Sequence, residues 1–385
     1  MSVRVLVGDV RERLADLPDA SVQCCVTSPP YFGLRDYGTA AWSGGDSECD
    51  HKPTFTPRSE RPNTNGSKVG AGGTYNDAQD EAARAYRDVC GKCGAVRMDR
   101  QIGLEATLSE YVESLVAVFR DVRRVLRDDG VLWLNLGDSY CSQGGEDRKG
   151  SSDNGVGRGE RPQSRIRQGA KPKDLLMVPA RVALALQDDG WYLRSDTIWH
   201  KPNPMPESVT DRPTSAHEHI FLLTKQPRYY YDADAIREAN AREWDPTNNG
   251  AFTHQSGEYD GKILGRATMP HSGLGNAHPN PAGRNCRNVW SIATMPYKEA
   301  HFATFPPEIP RRCIKAGSKP GDTILDPFAG AGTTLLVADQ LGRDAVGVEL
   351  NPVYAALIER RVMENAPMFA TVEMVAASEQ TELPF

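Results

Sequence analysis

The stretch TILDPFAGAGTT, residues 323 to 334, decides the fold. An apolar run ends on Asp326, a proline stops the extended chain, and Gly330 and Gly332 bracket Ala331 before helix-forming residues begin. Glycine adopts backbone angles closed to other residues and lets the chain pass close to a ligand, while the free amides of a helix start face that ligand. A lone pair of glycines also occurs in plain tight turns, so the context matters. The next apolar run, AVGVEL, carries Glu349, 23 residues beyond Asp326. A carboxylate there can accept both hydroxyls of a ribose. The third glycine of a dinucleotide fingerprint would stand at Leu335, which weakens a nicotinamide reading.

Outward from this loop the chain alternates strands and helices. VRVLV (3–7) and VQCCVT (22–27) are short apolar runs between polar turns and read as buried strands. Leu108, Tyr111, Val112, Leu115, Phe119, Val122, Val125 and Leu126 recur at helical spacing and predict a helix over about 107–127. Asp128-Asp129-Gly130 ends it, and VLWLNL (131–136) is the next strand. A helix near 174–188, a strand near 191–199, a helix from the glycine loop to Leu341 and a helix over 352–364 complete the expected order. Residues 39–100, 141–172 and 235–290 are rich in Gly, Asn and other polar residues and lack core periodicity. If the strands form one sheet, those ending at Asp326, Glu349, Asp9, Ser28 and Asn135 open onto one edge, where ligands of open α/β sheets bind.

The second strand stops at Thr27-Ser28-Pro29-Pro30-Tyr31. Two prolines cannot donate to a ladder, so the sheet must end there. Pro-Pro-Tyr closing a strand by packing is one reading. The other is chemical and follows from a resemblance. Ser28-Pro29-Pro30-Tyr31 is similar to the catalytic tetrapeptide of DNA amino-methyltransferases. That similarity implies that Ser28 Oγ and the Pro29 carbonyl accept the N–H bonds of an amine, with flanking prolines holding that carbonyl in place. The exocyclic amine of a nucleobase is a poor nucleophile because its lone pair is delocalised into the ring. Two acceptors draw the nitrogen towards tetrahedral geometry, and Tyr31 can stack on a base flipped out of a duplex.

DPFAGAGTT (326–334) resembles the S-adenosylmethionine loop of DNA amino-methyltransferases, and Ser28-Pro29-Pro30-Tyr31 resembles their catalytic tetrapeptide. The order of catalytic motif, target-recognition region and cofactor loop resembles the beta group of that family. The resemblance implies a circularly permuted Rossmann-like α/β fold and covers most of the chain. It divides the chain into catalytic α/β parts at 1–38, 101–234 and 291–385, an insertion at 39–100 and a loop-rich target-recognition region at 235–290. It implies cofactor contacts from Asp9 near the adenine ring, from Thr304 and Phe305 at the methionine end, and from Asp326, Phe328, Gly330, Gly332, Thr333, Thr334 and Glu349. Within IWHKPNPMPES, Lys201 and Asn203 either reach the DNA or tie down the turn. Serine before Pro-Pro is more frequent in the family's cytosine-N4 enzymes than in its adenine-N6 enzymes, although either base is chemically open to a neutral hydroxyl. The resemblance makes double-stranded DNA the partner and admits a homodimer and a cognate restriction endonuclease.

The insertion carries a second constellation, Cys49-x-His51 and Cys90-x-x-Cys93, separated by 38 residues. Two thiolates on a tight knuckle with another Cys/His pair make a closed tetrahedral zinc site of structural type. Free surface cysteines are the alternative. Cys24 and Cys25 belong to a strand, and Cys141, Cys286 and Cys313 have no partner at ligand spacing.

Composition bounds the rest. The chain has 385 residues, 39% hydrophobic and 25% charged, with a net charge of −6, so no global basic field announces nucleic acid. RGERPQSRIRQGAKPK (158–173) holds six Lys/Arg against one Glu and is either a solvated loop or a phosphate-tracking segment. No apolar run reaches the roughly 18 residues that span a bilayer, so no membrane is expected. The opening MSVRVLVGDV turns polar too soon for a signal peptide, which makes the cytoplasm of a bacterial, archaeal or phage-infected cell the expected setting. An RNA- or protein-directed methyltransferase sharing the cofactor half, or a catalytically silent nucleic-acid-binding protein, are the rival classes. The Ser-Pro-Pro-Tyr loop argues against the silent option.

Overall fold

The run Val22–Thr27 is buried at all six positions, and a strand with no exposed side requires packed layers above and below it. The computed structural model describes residues 2–33, 39–51, 89–141, 170–239, 282–295, 305–365 and 371–376, and it supplies both layers. In chain order the strands are β1 (Ser2–Val7), β2 (Val22–Thr27), β3 (Ala41–Ser43), β4 (Val96–Met98), β5 (Leu126–Leu136), β6 (Tyr192–His200), β7 (His217–Thr224), β8 (Val289–Ser291), β9 (Thr323–Asp326), β10 (Asp344–Glu349) and β11 (Thr371–Val375). The helices are α1 (Val10–Arg13), α2 (Leu108–Val125), α3 (Val178–Asp188), α4 (Glu308–Gly317), α5 (Thr333–Gln340) and α6 (Pro352–Asn365).

Among the described residues, nine strands form one sheet in the order β11-β1-β10-β9-β2-β5-β7-β6-β8. Every neighbouring pair is parallel except those of β7, which runs antiparallel to β5 and β6. The fold is therefore mixed α/β with a large, mostly parallel sheet. β9, from the last third of the chain, lies between β10 and β2. Segments about 300 residues apart thus meet at the centre of the sheet.

Pleating sends successive side chains to opposite faces. Cys25, Leu132, Leu134 and Leu325 pack under Tyr111, Leu115, Phe119 and Val122 of α2 and Val182 and Leu186 of α3. Cys24, Val131, Trp133 and Ile324 pack on the other face, against Ile314 of α4, Val337 of α5 and Ile358 of α6. A capping box starts α2: Thr107 Oγ1 accepts from Glu110 N, and the Glu110 carboxylate accepts from Thr107 N.

Three of the differences from the expected order have clear physical causes. First, β5 begins at Leu126, directly after α2, rather than at Val131. Val22 pairs with Leu126 but Cys24 with Val131, so the Asp128–Gly130 segment is absorbed as a shift of register within the strand. Second, α4 follows Pro306-Pro307, whose rings mask a helix start that proline tolerates. Third, β11 adds an edge strand beside β1 with no fully buried position, so its sequence carries little core signal. Most of the polar stretches at 141–172 and 235–290 lie outside the described residues. At the rim of the second, Glu238 and Arg284 form an isolated bridge.

Candidate active site

Because the central strands are parallel, their C-terminal ends share one edge. Val7 pairs with Glu349, Gly347 with Asp326 and Thr27 with Leu134, which brings Asp9, Glu349, Asp326, Ser28 and Asn135 to that edge. Two of these strand ends are directly bonded. Thr27 Oγ1 donates to Asp326 Oδ1 at 2.6 Å. The same oxygen accepts from Phe328 N at 3.1 Å, and the Thr334 hydroxyl donates to the Val26 carbonyl at 3.2 Å. Burial pushes the Asp326 carboxyl up to about 6 against the hydrogen bonds it accepts. All of these partners lie inside the protein, so Asp326 shapes the glycine loop from beneath.

Above it, Gly332 caps α5 with φ 74°, and a Cβ there would lie 2.8 Å from Ile358 Cγ2. Gly330 has φ 52°, and a Cβ there would meet nothing nearer than 3.9 Å, so the loop is open on that side. Gly330 N donates to Glu349 Oε2 and Asn351 N to Glu349 Oε1, both at 2.8 Å. Burial pushes Glu349 up to about 7 despite these two amides. The folded protein therefore holds this proton more tightly than the unfolded chain, and the resulting stability fades as pH rises through about 7. Thr333 Oγ1 accepts from Arg361 at 3.0 Å, and Phe328 is half-buried against the first core. Asp9 caps α1 by accepting from Arg11 N at 3.0 Å and pairs with the Arg11 guanidinium at 2.6 Å. Phe305 is half-buried against the second core, and Thr304 lies outside the described residues.

The Ser28–Tyr31 loop is fixed from several sides. Tyr111 donates its hydroxyl to the Pro30 carbonyl at 2.9 Å, and the buried Phe32 ring lies 5.3 Å from that of Tyr111. Gly33 N donates to Gly103 O at 2.8 Å, and Gly103 (φ 100°) has no room for a Cβ, which would sit 3.0 Å from Tyr31 O. The Tyr31 ring rests on Gly137, where a Cβ would fall 2.6 Å from ring atom Cε2. The phenol donates to Glu218 Oε2 at 2.7 Å, and Ser28 Oγ lies 3.4 Å from it. Burial, with the Glu218 charge added, pushes the Tyr31 phenol well above its usual range.

Glu218 is the centre of a polar cluster that the motifs did not indicate. Its Oε2 also accepts from Asn135 Nδ2 at 3.1 Å, and its Oε1 pairs with Lys201 Nζ. The Lys201 ammonium lies 4.5 Å from the Trp199 ring centroid. Asn203 bonds the Thr294 backbone on both sides, accepting from N at 2.9 Å and donating to O at 3.3 Å. Lys201 and Asn203 are thus engaged within the protein, which favours the turn-fixing reading of the two over direct DNA contact. The HEHIFLLT strand opens with three consecutive polar residues, His217-Glu218-His219, a run that reads as an exposed strand end. Only the pairing of Trp199 with Glu218 and of Leu136 with His219 brings Glu218 to the site.

In the insertion, β3 and β4 pair antiparallel, and the donor atoms of Cys49, His51, Cys90 and Cys93 lie within 4.8 Å of one another. Cys49 Sγ and Cys90 Sγ are 3.7 Å apart, and Cys93 Sγ and His51 Nδ1 are 3.6 Å apart. His51 N and Lys92 N point at Cys49 Sγ and Cys90 Sγ, each at 3.4 Å. Gly45 (φ 73°) leaves room for the knuckle, since a Cβ there would lie 2.8 Å from Cys93 Sγ. Trp42 stacks on the His51 ring at 4.5 Å.

Residues 22–360 match the N6/N4 methyltransferase family, described as DNA methylase. The chain is 39% identical over 364 residues to the type II methyltransferase M.SmaI of Serratia marcescens, covering 94% of this chain and 92% of that one. It is 38% identical over 355 residues to the type II methyltransferase M.Cfr9I of Citrobacter freundii, covering 92% and 86%. The solved structure of the PvuII DNA methyltransferase (cytosine-N4-specific) shares the fold with a TM-score of 0.52 at 16% identity, covering 97% of this chain and 95% of that one.

The bond between the two strand ends has a measurable weight. Thr27→Val removes one donor from a buried carboxylate and should destabilise the protein by about 1–3 kcal/mol. Urea unfolding should show a lowered midpoint with an unchanged slope, restored by Thr27→Ser. A midpoint equal to that of the parent protein contradicts the assignment.

Proposed function

The chain belongs to the N6/N4 family of DNA methylases, and from that premise we propose that it transfers a methyl group from S-adenosylmethionine to the exocyclic amine of a base flipped out of duplex DNA. The observation that carries this reading is the shared sheet edge, where the bonded pair Thr27 and Asp326 sets the Ser28–Tyr31 loop beside the glycine loop. The residues present fit the cofactor. The loop is open at Gly330, Gly332 turns the chain into α5, and the half-buried Glu349 carboxylate offers acceptors for ribose hydroxyls. When bound, S-adenosylmethionine supplies an electrophilic methyl group on a positively charged sulfur.

This chain's own residues then prepare the amine. Ser28 Oγ and the Pro29 carbonyl accept its two N–H bonds, which returns lone-pair density to the nitrogen. Tyr31, immobilised on Gly137, is the surface on which the flipped base stacks. The cofactor held at this loop would supply the methyl group, while Ser28 Oγ and the Pro29 carbonyl would hold the two amine protons, one of which passes to solvent after transfer; no covalent bond to the enzyme is required. We read the base as cytosine and the product as N4-methylcytosine, because serine, the residue at position 28, stands before Pro-Pro more often in the family's cytosine-N4 enzymes than in its adenine-N6 enzymes. Type II relatives support a cognate restriction endonuclease, and with it a cytoplasmic setting in a bacterial, archaeal or phage-infected cell. No helix among the described residues is long and apolar enough to cross a membrane.

The insertion reads as a structural zinc knuckle. Zinc–sulfur bonds of about 2.3 Å place tetrahedral ligands about 3.8 Å apart, close to the 3.7 Å and 3.6 Å separations of the donor pairs. Four protein donors leave no open coordination position, so this metal would hold the β3–β4 hairpin and take no part in the chemistry.

Two measurements test these assignments. Ser28→Ala should cut single-turnover methyl transfer roughly 100-fold while leaving the S-adenosylmethionine dissociation constant within about twofold; full activity in this variant rules out the catalytic role. Metal analysis of the purified full-length protein should find one zinc per chain, lost in Cys90→Ser and Cys93→Ser. A metal-free parent protein that is folded and active overturns the knuckle.

A further inference from the structure

The cluster around Glu218 bears on how Ser28 meets its substrate. A serine hydroxyl carries one proton and two acceptor lone pairs, and its rotor can present either to an incoming amine. Only the acceptor side helps, because an amine nitrogen gains nucleophilic character when its own protons are drawn away. A hydroxyl that donated to the amine nitrogen would occupy the lone pair that must attack. Nothing within the Ser28-Pro29-Pro30-Tyr31 motif itself decides between the two orientations.

The neighbours of Tyr31 do decide. The phenol has a single proton, and Glu218 Oε2 takes it at 2.7 Å, the short distance expected of a hydroxyl bonded to a carboxylate. The carboxylate is acceptor-only, so this bond has one direction. The phenol oxygen is left with lone pairs alone, and Ser28 Oγ lies 3.4 Å from it. Ser28 can therefore only donate towards Tyr31, and its own lone pairs turn to the other side. The serine contact is loose, as such contacts are before substrate arrives, and has room to tighten.

Glu218 itself is held in place. Lys201 pairs with its other oxygen, and Asn135 Nδ2 donates to Oε2 at 3.1 Å and to the His219 carbonyl at 3.1 Å. The side chains of Glu218 and Lys201 are only 13% and 19% exposed, so each charge depends on the other. The side chain of His219, the next residue, turns instead to Asp196 at 3.0 Å, so His219 contributes only its carbonyl.

We propose that Glu218 is a positioning residue that sets the direction of the chain Ser28–Tyr31–Glu218, so that Ser28 Oγ faces the substrate amine as an acceptor. Lys201 and Asn135 support it by fixing the carboxylate. The proposal rests on the methyltransferase reading of the site and adds a role that lies outside its sequence motifs.

A double-mutant cycle on single-turnover methyl transfer tests it, using duplex DNA that carries the site this enzyme modifies in cells. Glu218→Gln and Tyr31→Phe should each lower the rate roughly 10- to 100-fold, with the KM for duplex and the cofactor dissociation constant nearly unchanged. In a Ser28→Ala background neither change should slow the reaction further, because the hydroxyl being directed is gone. Tyr31→Phe leaves the Glu218–Lys201 pair intact, so it reports even where Glu218→Gln misfolds. Losses that multiply in the Ser28→Ala background, or a raised KM at constant kcat, overturn the directing role. A slow Ser28→Ala with a full-rate Tyr31→Phe or Glu218→Gln sinks this inference alone, whereas a full-rate Ser28→Ala sinks the catalytic reading beneath it.

Discussion

The hydroxyl of Thr27 on the carboxylate of Asp326 is the contact on which the site depends. It joins residues 299 positions apart at the ends of adjacent strands, at 2.6 Å and out of reach of solvent. A buried carboxylate without donors would be strongly disfavoured, and burial does push Asp326 up to about 6. The donors from Thr27 and Phe328 N offset that penalty, and each lies in a segment that must be placed. Ser28 follows Thr27 directly, and the glycine loop follows Phe328. One desolvated acid thus registers the Ser28–Tyr31 loop against the glycine loop.

Two further layers build on that registration. On the cofactor side, Glu349 reaches across to Gly330 N and Asn351 N, tying β10 to the loop after β9. On the catalytic side, Gly137 and Gly103 let the Tyr31 ring and backbone approach within distances that any side chain would block. Glu218 then fixes the phenol from β7, the strand that reverses the direction of the sheet. A flipped base would meet a preformed surface, with little reorganisation left for the chemical step.

Much of this was legible in the sequence because the relevant signals are local. Strands that stop on an acid or a proline, glycines before a helix and an acid one strand later are all short-range patterns, and TILDPFAGAGTT and CVTSPPY each display one. The Cys/His pairs of the insertion were legible for the same reason, and the structure gathers them despite the 38 residues between. What stayed hidden depends on pairing. Asp326 reads as a ligand contact, and its hydrogen bond to Thr27 is invisible in the sequence because that partner comes from the other end of the chain. Lys201 reads in the sequence either as a cation for DNA or as a turn-fixing residue, and the partner that bears on the choice, Glu218, is supplied by strand pairing. Glu218 itself, between two histidines, carries no motif. The early start of β5 escaped because a shift in register against β2 absorbs the polar residues that would otherwise end a strand.

The central claim is that this edge methylates an exocyclic amine of a base in duplex DNA. Base-resolved mapping of modified DNA, from cells expressing the protein and from matched cells without it, tests that claim most directly. The account predicts N4-methylcytosine at one defined sequence, present only when the protein is expressed. DNA with no modified amine at any sequence, or with methyl groups placed on ring carbon, would contradict it.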